Sequence, residues 1–402
     1  LQQNMSRVLV VRGHQATPWE LRQWEVLPDR FDVAYLRTAA NGWDTSSVAL
    51  DAVPVGSRRD KLPRGRLGDI AALLAGDRYT SGADEAYAAA DIVHSEELAY
   101  WFAADAARRK ARHGFRLVQT VWETLPFGRT YRRGGPAGFR DEVLAATDLF
   151  LPATERARLA LLLEGVDEER VEVCSPGVDV TRFAEAARRA QNEPPPTEHV
   201  IISPGRLVWE KGHHDAIRAL ALLHRGIVTL TDGTVSRPRL RIVGAGPEEA
   251  RLRAAAAELG VADAVEIGSV PYPEMPDAFA RASCMLLGSQ SSAGGGLHPF
   301  DTPRVFWEEQ FGMVFVEAMA AGIAIVATTN GAIPEVLDGN GTLVPAGDYV
   351  GMARALAAGP LAQPPGSRLA YPQALLQRYS IEGVAERLAA AYDRVLGAPK
   401  RS

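Results

Sequence analysis
Residues 308–322 read EEQFGMVFVEAMAAG, and two of the acids, Glu309 and Glu317, stand eight positions apart. A carboxylate accepts hydrogen bonds on both oxygens, so it can grip two neighbouring hydroxyls. Gly312 precedes the apolar run and Gly322 closes it, which predicts a helix over 313–321. The first N–H groups of such a helix, around 312–314, are unpaired and lie at the positive end of its dipole, an anion site. At about 100° per residue, Phe315, Ala318 and Met319 share the core face. Glu317 then points almost the opposite way, beside Met313 and Ala320, where small side chains let another molecule approach. Glu309, in the loop before the helix, reaches past the anion. The bland alternative is a solvated helix face, where most glutamates lie.

An anion needs cations as well. The stretch SPGRLVWEKGHHDAI (203–217) ends a strand, turns at Pro-Gly and sets Arg206 and Lys211 on the loop before the next helix. Arginine offers phosphate a planar fork and lysine a mobile point charge. The only lysines are Lys61, Lys110, Lys211 and Lys400, so the use of one here is informative. The alternative is a solvated loop in which Lys211 pairs with Glu210. Taken together, the two stretches read as phosphate in the middle, ribose on one side and a polar group on the other: the outline of a nucleotide-sugar.

Positioning these groups takes strands that end on one side of a sheet. Apolar runs at 7–11, 32–36, 91–94, 116–122, 148–153 and 171–176 alternate with alanine-rich helical stretches. The polar AEAARRAQNEPPPTE (184–198), with its triple proline, reads as a linker. The pattern restarts at 199–205, 240–246, 264–270, 284–289 and 324–329. Wholly apolar strands alternating with helices form parallel sheets covered on both faces. The chain of 402 residues exceeds one hydrophobic core. Two Rossmann-like doubly wound domains are therefore expected, 1–190 and 199–375, facing across a cleft at the strands' carboxyl ends. In 376–402, Val384, Leu388, Ala391 and Val395 recur at helical spacing, and this helix is expected to pack back on the first domain.

Composition sets the remaining bounds. A net charge of −5 with both signs interspersed argues against a nucleic-acid binder. Cys174 and Cys284 are far apart and read as free thiols of a reducing cytosol. No signal peptide and no membrane-spanning apolar run is visible. A cytoplasmic location follows as an expectation, with peripheral contact at the inner face of the membrane. No Asp-x-Asp pair stands at a strand end, so a metal site is not expected.

GRLVWEKG together with WEEQFGMVFVEAMAAGIAIVATTNGAIPEVL resembles the retaining glycosyltransferase family 4, which has the GT-B fold. The resemblance is strong over roughly 200–350, and its signature E-x7-E falls on Glu309 and Glu317. It implies that Arg206 and Lys211 hold the donor diphosphate with backbone groups of Gly312, Met313 and Val314. It further implies that Glu317 holds the ribose, Glu309 lies near the donor sugar, and the backbone at Val270 meets the nucleobase. In the first half, ADIVHSEELAYW resembles the family's strand-end histidine motif, with His94, Ser95 and Glu96 in place of His-x-His. His94 would keep the catalytic contact or Glu96 would take its place. Glu123 ends another strand, where relatives often carry histidine and an acid. The Gly-Gly loop that many relatives have after their first strand is missing, and His14 is its weak substitute.

The expected function is retaining, metal-independent transfer of a hexose-type sugar from a nucleoside-diphosphate sugar to an acceptor hydroxyl. The donor is a substrate and no cofactor is implied; the acceptor is a sugar, a lipid-linked glycan or a small molecule. A sugar-nucleotide epimerase or a non-catalytic nucleotide-sugar-binding protein are the alternatives. IVGAGPEEA (242–250) imitates a dinucleotide fingerprint, but Glu249 stands where its third glycine belongs. SSAGGGLHPFDTP (291–303) reads as a mobile loop that could close on substrate. The basic stretches 56–66 and 106–116 read as solvated faces or as contacts to a membrane or a phosphorylated acceptor.

Overall fold
The structure, a computed structural model, describes residues 5–62, 76–128, 135–294 and 304–399. Residues 295–303 of the glycine-rich stretch and 63–66 of the first basic stretch lie outside them. The chain divides into two compact units, Leu1–Val178 with Tyr379–Ser402, and Asp179–Arg378.

Each unit is built on a six-stranded sheet. In the first, the order is Asp51–Pro54, Phe31–Arg37, Ser6–Val10, Ile92–Glu96, Arg116–Val121 and Leu149–Pro152. In the second it is Val265–Gly268, Arg239–Val243, Val200–Pro204, Cys284–Leu287, Ala324–Thr328 and Thr342–Val344. Every pairing in both sheets is parallel. Both therefore carry the doubly wound order 3-2-1-4-5-6, in which the chain reverses its direction of build between strands 1 and 4. That switch point lies between Ser6–Val10 and Ile92–Glu96 in the first unit. In the second it lies between Val200–Pro204 and Cys284–Leu287.

The apolar strands form because both of their faces are covered. One side of the first sheet packs Leu9, Leu36, Val93, Phe102 and Leu117 together. The other packs Val10, Ile92, Val118, Leu21 and Trp24 with Val384, Leu388, Tyr392 and Val395 of the helix Ile381–Gly397. That helix belongs to the first unit, and the chain's two crossings between units are stapled there: Val178 and Ser380 form a parallel bridge.

Three expectations change. The run 171–176 forms no strand and makes only a single bridge, Phe150 to Val171. Each sheet gains a short polar-rimmed edge strand, Asp51–Pro54 and Thr342–Val344. The boundary falls at 178/179, not after 190, because Val180–Gln191 is a helix. Asp179 caps it by accepting from the Arg182 N–H at 3.2 Å, and Phe183, Ala186 and Ala187 are buried at helical spacing. It packs against the helices Met275–Ala280 and Met313–Ala320 of the second unit. Only the proline-rich 192–198 that follows is without regular structure.

Candidate functional site
In the second unit the residues singled out above gather at the carboxyl ends of the central strands. The strand Val200–Pro204 runs into the loop that carries Arg206 and Lys211. Gly212 ends that loop with φ 65°, and a Cβ there would fall 1.9 Å from the Gly288 carbonyl oxygen. Glycine thus lets the two switch-point loops meet backbone to backbone. His213 fixes the loop from beneath. Its Nε2 donates to the Arg206 carbonyl at 3.3 Å, which leaves Nδ1 to accept from the Ser203 hydroxyl at 2.9 Å. Burial pushes the pKa of His213 down to about 4, so the ring is neutral when it does this.

Glu309 is buried and saturated. Lys211 Nζ lies 2.9 and 2.7 Å from its two oxygens, and the Ser289 hydroxyl donates to Oε2 at 2.8 Å. The backbone of Glu309 is clamped as well. Its N–H donates to Asn330 Oδ1 at 2.8 Å, and its carbonyl accepts from the Ala332 N–H at 2.8 Å. Gly331 permits that clamp, since a Cβ there would sit 2.1 Å from the Glu309 carbonyl oxygen. Lys211 lies over the Trp307 ring, 5.1 Å from its centroid. Arg206 is exposed and forms no ion pair among the described residues.

Gly312, Met313 and Val314 open the helix Met313–Ala320, and no side chain among the described residues caps its first turn. Its early N–H groups are therefore left for an incoming acceptor. Glu317 differs from expectation: it is only 4% exposed, because the helix is buried from Phe315 to Ala320 and the helix Val180–Gln191 packs on it. Burial pushes its carboxyl up to about 8, with the Arg182 guanidinium pulling the other way. Arg182 also donates to the Pro273 carbonyl at 3.2 Å and lies over the Tyr272 ring. It thereby links the surroundings of Glu317 to the loop after Gly268, where Val270 stands half-buried.

The first unit places its candidates less openly. His94 is fully buried. Its Nδ1 is 2.6 Å from the Tyr392 hydroxyl, its Nε2 is 2.7 Å from Thr120 Oγ1, and burial holds its pKa well below the usual range. Trp24 Nε1 donates to the same Tyr392 oxygen at 2.8 Å. Both ring nitrogens are thus committed within the core, and the expected contact with substrate is replaced by a structural one. Glu96 is buried too, 3.3 Å from Arg12 Nε, and burial raises its carboxyl against the pull of that guanidinium. Glu123 accepts from the Leu125 N–H at 2.9 Å. His14 lies 3.8 Å from Asp77.

The basic stretch 106–116 is engaged within the unit: Arg108 pairs with Glu142, Arg109 with Asp105 and Asp84, and Lys110 with Asp148. Sequence reasoning passed over Ser289, Asn330, Trp307 and Arg182. The signals available were the Gly-Ser ending CMLLGS and the Asn-Gly of ATTNG, both just beyond strand ends.

Residues 185–358 match the family model for glycosyl transferases, group 1. That segment holds Arg206, Lys211, Ser289, Glu309 and Glu317, and Arg182 lies just before it. A GDP-mannose-dependent alpha-(1-6)-phosphatidylinositol monomannoside mannosyltransferase of Mycolicibacterium smegmatis is 33% identical over 230 residues, covering 56% of this chain and 53% of its own. The chain spans about half the length of the curated relatives it matches. Among solved structures, Anabaena Alr3699/HepE in complex with UDP has a TM-score of 0.66 at 16% identity, covering 97% of this chain and all of that one. The UDP-GlcNAc 2-epimerase of Methanocaldococcus jannaschii has a TM-score of 0.58 at 12% identity, covering 96% and 99%. These likenesses show the fold, which is GT-B. No helix among the described residues is long and apolar enough to cross a membrane.

Proposed function
We propose that the chain is a retaining glycosyltransferase that moves a hexose-type sugar from a nucleoside-diphosphate sugar to an acceptor hydroxyl without a metal. The observation that carries this is the cluster of Lys211, Glu309 and Ser289 beside the uncapped helix Met313–Ala320, at the switch point of the second sheet. The matching family segment and the nucleotides named for similar proteins, GDP-mannose for one and bound UDP for a structural neighbour, support it.

In this reading the diphosphate lies on the helix N-terminus, held by the backbone of Gly312, Met313 and Val314 and by Arg206 and Lys211. Glu317 takes the ribose hydroxyls, which are common to UDP-, GDP- and ADP-sugars, and the backbone at Val270 meets the base. Glu309 takes hydroxyls of the sugar. The bond from the anomeric carbon to the diphosphate breaks as the acceptor oxygen arrives on the same face. The acceptor proton passes to the departing phosphate oxygen. Preorganised donors on that leaving group are the main catalytic contribution, a few kcal/mol for each one removed.

The epimerase with the same fold favours a second reading, interconversion of the nucleotide-sugar itself. One experiment separates the two. Purified protein is offered UDP-, GDP- and ADP-sugars with a panel of simple acceptors, and products are followed by NMR in the presence of EDTA. A new glycosidic bond with the donor's anomeric configuration supports the proposal. Epimerised free nucleotide-sugar supports the second reading. Binding without either product leaves a non-catalytic binder.

A further inference from the structure
We infer that the Lys211–Glu309 pair makes the site discriminate a nucleotide-sugar from the bare nucleoside diphosphate. The inference rests on the donor-site reading above and assigns the pair a role in selection and release, distinct from contact alone.

The argument begins with which partner can move. Glu309 is held at its N–H, at its carbonyl and by Ser289, so its carboxylate is a fixed anion. Lys211 ends a flexible stem, and its ammonium also lies over the Trp307 ring. Its ammonium gives both of its short contacts to Glu309, and the side chains are only 13% and 6% exposed. A diphosphate arriving at the helix Met313–Ala320 must draw Lys211 away. That leaves a buried carboxylate with Ser289 as its sole side-chain donor among the described residues, and stripping one partner from a buried pair is strongly unfavourable.

A nucleotide-sugar solves this in the same step. Its sugar hydroxyls donate to Glu309 as Lys211 leaves, so both charges end with partners. The bare diphosphate brings no hydroxyls and must break the pair uncompensated. After transfer, the return of Lys211 to Glu309 helps expel the nucleoside diphosphate. Contact of the sugar with Glu309 and contact of the phosphate with Lys211 are therefore thermodynamically linked through one ion pair.

The test is calorimetric binding of UDP with UDP-glucose, GDP with GDP-mannose, and ADP with ADP-glucose, to wild type and to Glu309→Gln. Glu309→Met, equally long and uncharged, serves as the second variant should the first fold poorly by thermal melt. For the pair that binds, wild type should prefer the sugar form. The uncharged variant should bind the bare diphosphate about tenfold more tightly than wild type and lose that preference. Wild-type binding combined with unchanged or weaker diphosphate binding in the variant overturns the inference while the donor-site reading stands. No binding of any of these nucleotides by wild type overturns both.

Discussion
Two carboxylates at the ends of one helix-turn motif are held in opposite ways. Glu309 is paired and Glu317 is buried beside a distant cation, so their removal has different consequences. Replacing Lys211 with Met leaves the Glu309 charge enclosed and should cost about 3–5 kcal/mol. The double variant Lys211→Met/Glu309→Gln should regain most of that in a double-mutant cycle of thermal melts, although donor turnover stays lost. For Glu317, a carboxyl raised from 4.5 to about 8 makes the folded state hold a proton that the unfolded chain releases. Stability then falls as pH rises from about 5 to 8, at up to about 1.4 kcal/mol per pH unit, and levels off above. Glu20, raised to about 8 by burial and by Glu96, adds to the same slope. Glu317→Gln should melt higher than wild type at pH 9 and show a shallower pH profile. It should also bind the donor tenfold or more weakly, as two hydrogen bonds of about 1 kcal/mol each are impaired. A 2′-deoxyribose donor should bind the variant about as well as the ribose form. That Lys211 and Glu309 meet beyond the strand ends was legible in part, because glycine turns after apolar strands bring such loops together, whereas the burial of Glu317 was not. His94 was not: a strand-end histidine looks alike in sequence whether it faces a ligand or Tyr392, 298 positions away.

At the scale of elements, alternation of apolar strand and helix was readable because parallel strands are buried on both faces. The edge strand Asp51–Pro54 was missed for the converse reason, being mostly exposed and free to be polar. The helix Val180–Gln191 was hidden by its charge, since only Phe183 and small alanines mark its buried face. The helix Ile381–Gly397 was legible as a packing element, but the polar anchor that fixes its rotation was not. Trp24 donates to Tyr392, and among the described residues the Tyr392 proton has only His94 Nδ1 to go to. His94 Nε2–H then donates to Thr120. Tyr392→Phe keeps the ring packing against Phe31 but strands the Trp24 and His94 nitrogens in the core. A loss of about 1–3 kcal/mol is expected by denaturant titration. A change within experimental error would mean that the chain of bonds contributes nothing net.

At the scale of the whole molecule, the first unit is discontinuous, with the second inserted between Val178 and Tyr379. The helix Ile381–Gly397 buries Ile381, Val384, Leu388, Tyr392 and Val395. Each large apolar group is worth about 1.5–3 kcal/mol, against a net stability of about 5–15 kcal/mol for a whole domain. The first sheet therefore lacks part of the closing layer on one face until this helix arrives. On the ribosome the order of completion is inverted relative to the order of translation. The second unit can finish folding while the first, made earlier, still exposes the apolar face around Trp24, Val10 and Val118. Nascent chains ending at Arg378 and tethered to the ribosome through a long flexible linker should yield a protease-resistant second unit and a digestible first one. Chains extended past Gly397 should protect both. The first unit's unfinished face is thus where a chaperone would be needed during synthesis.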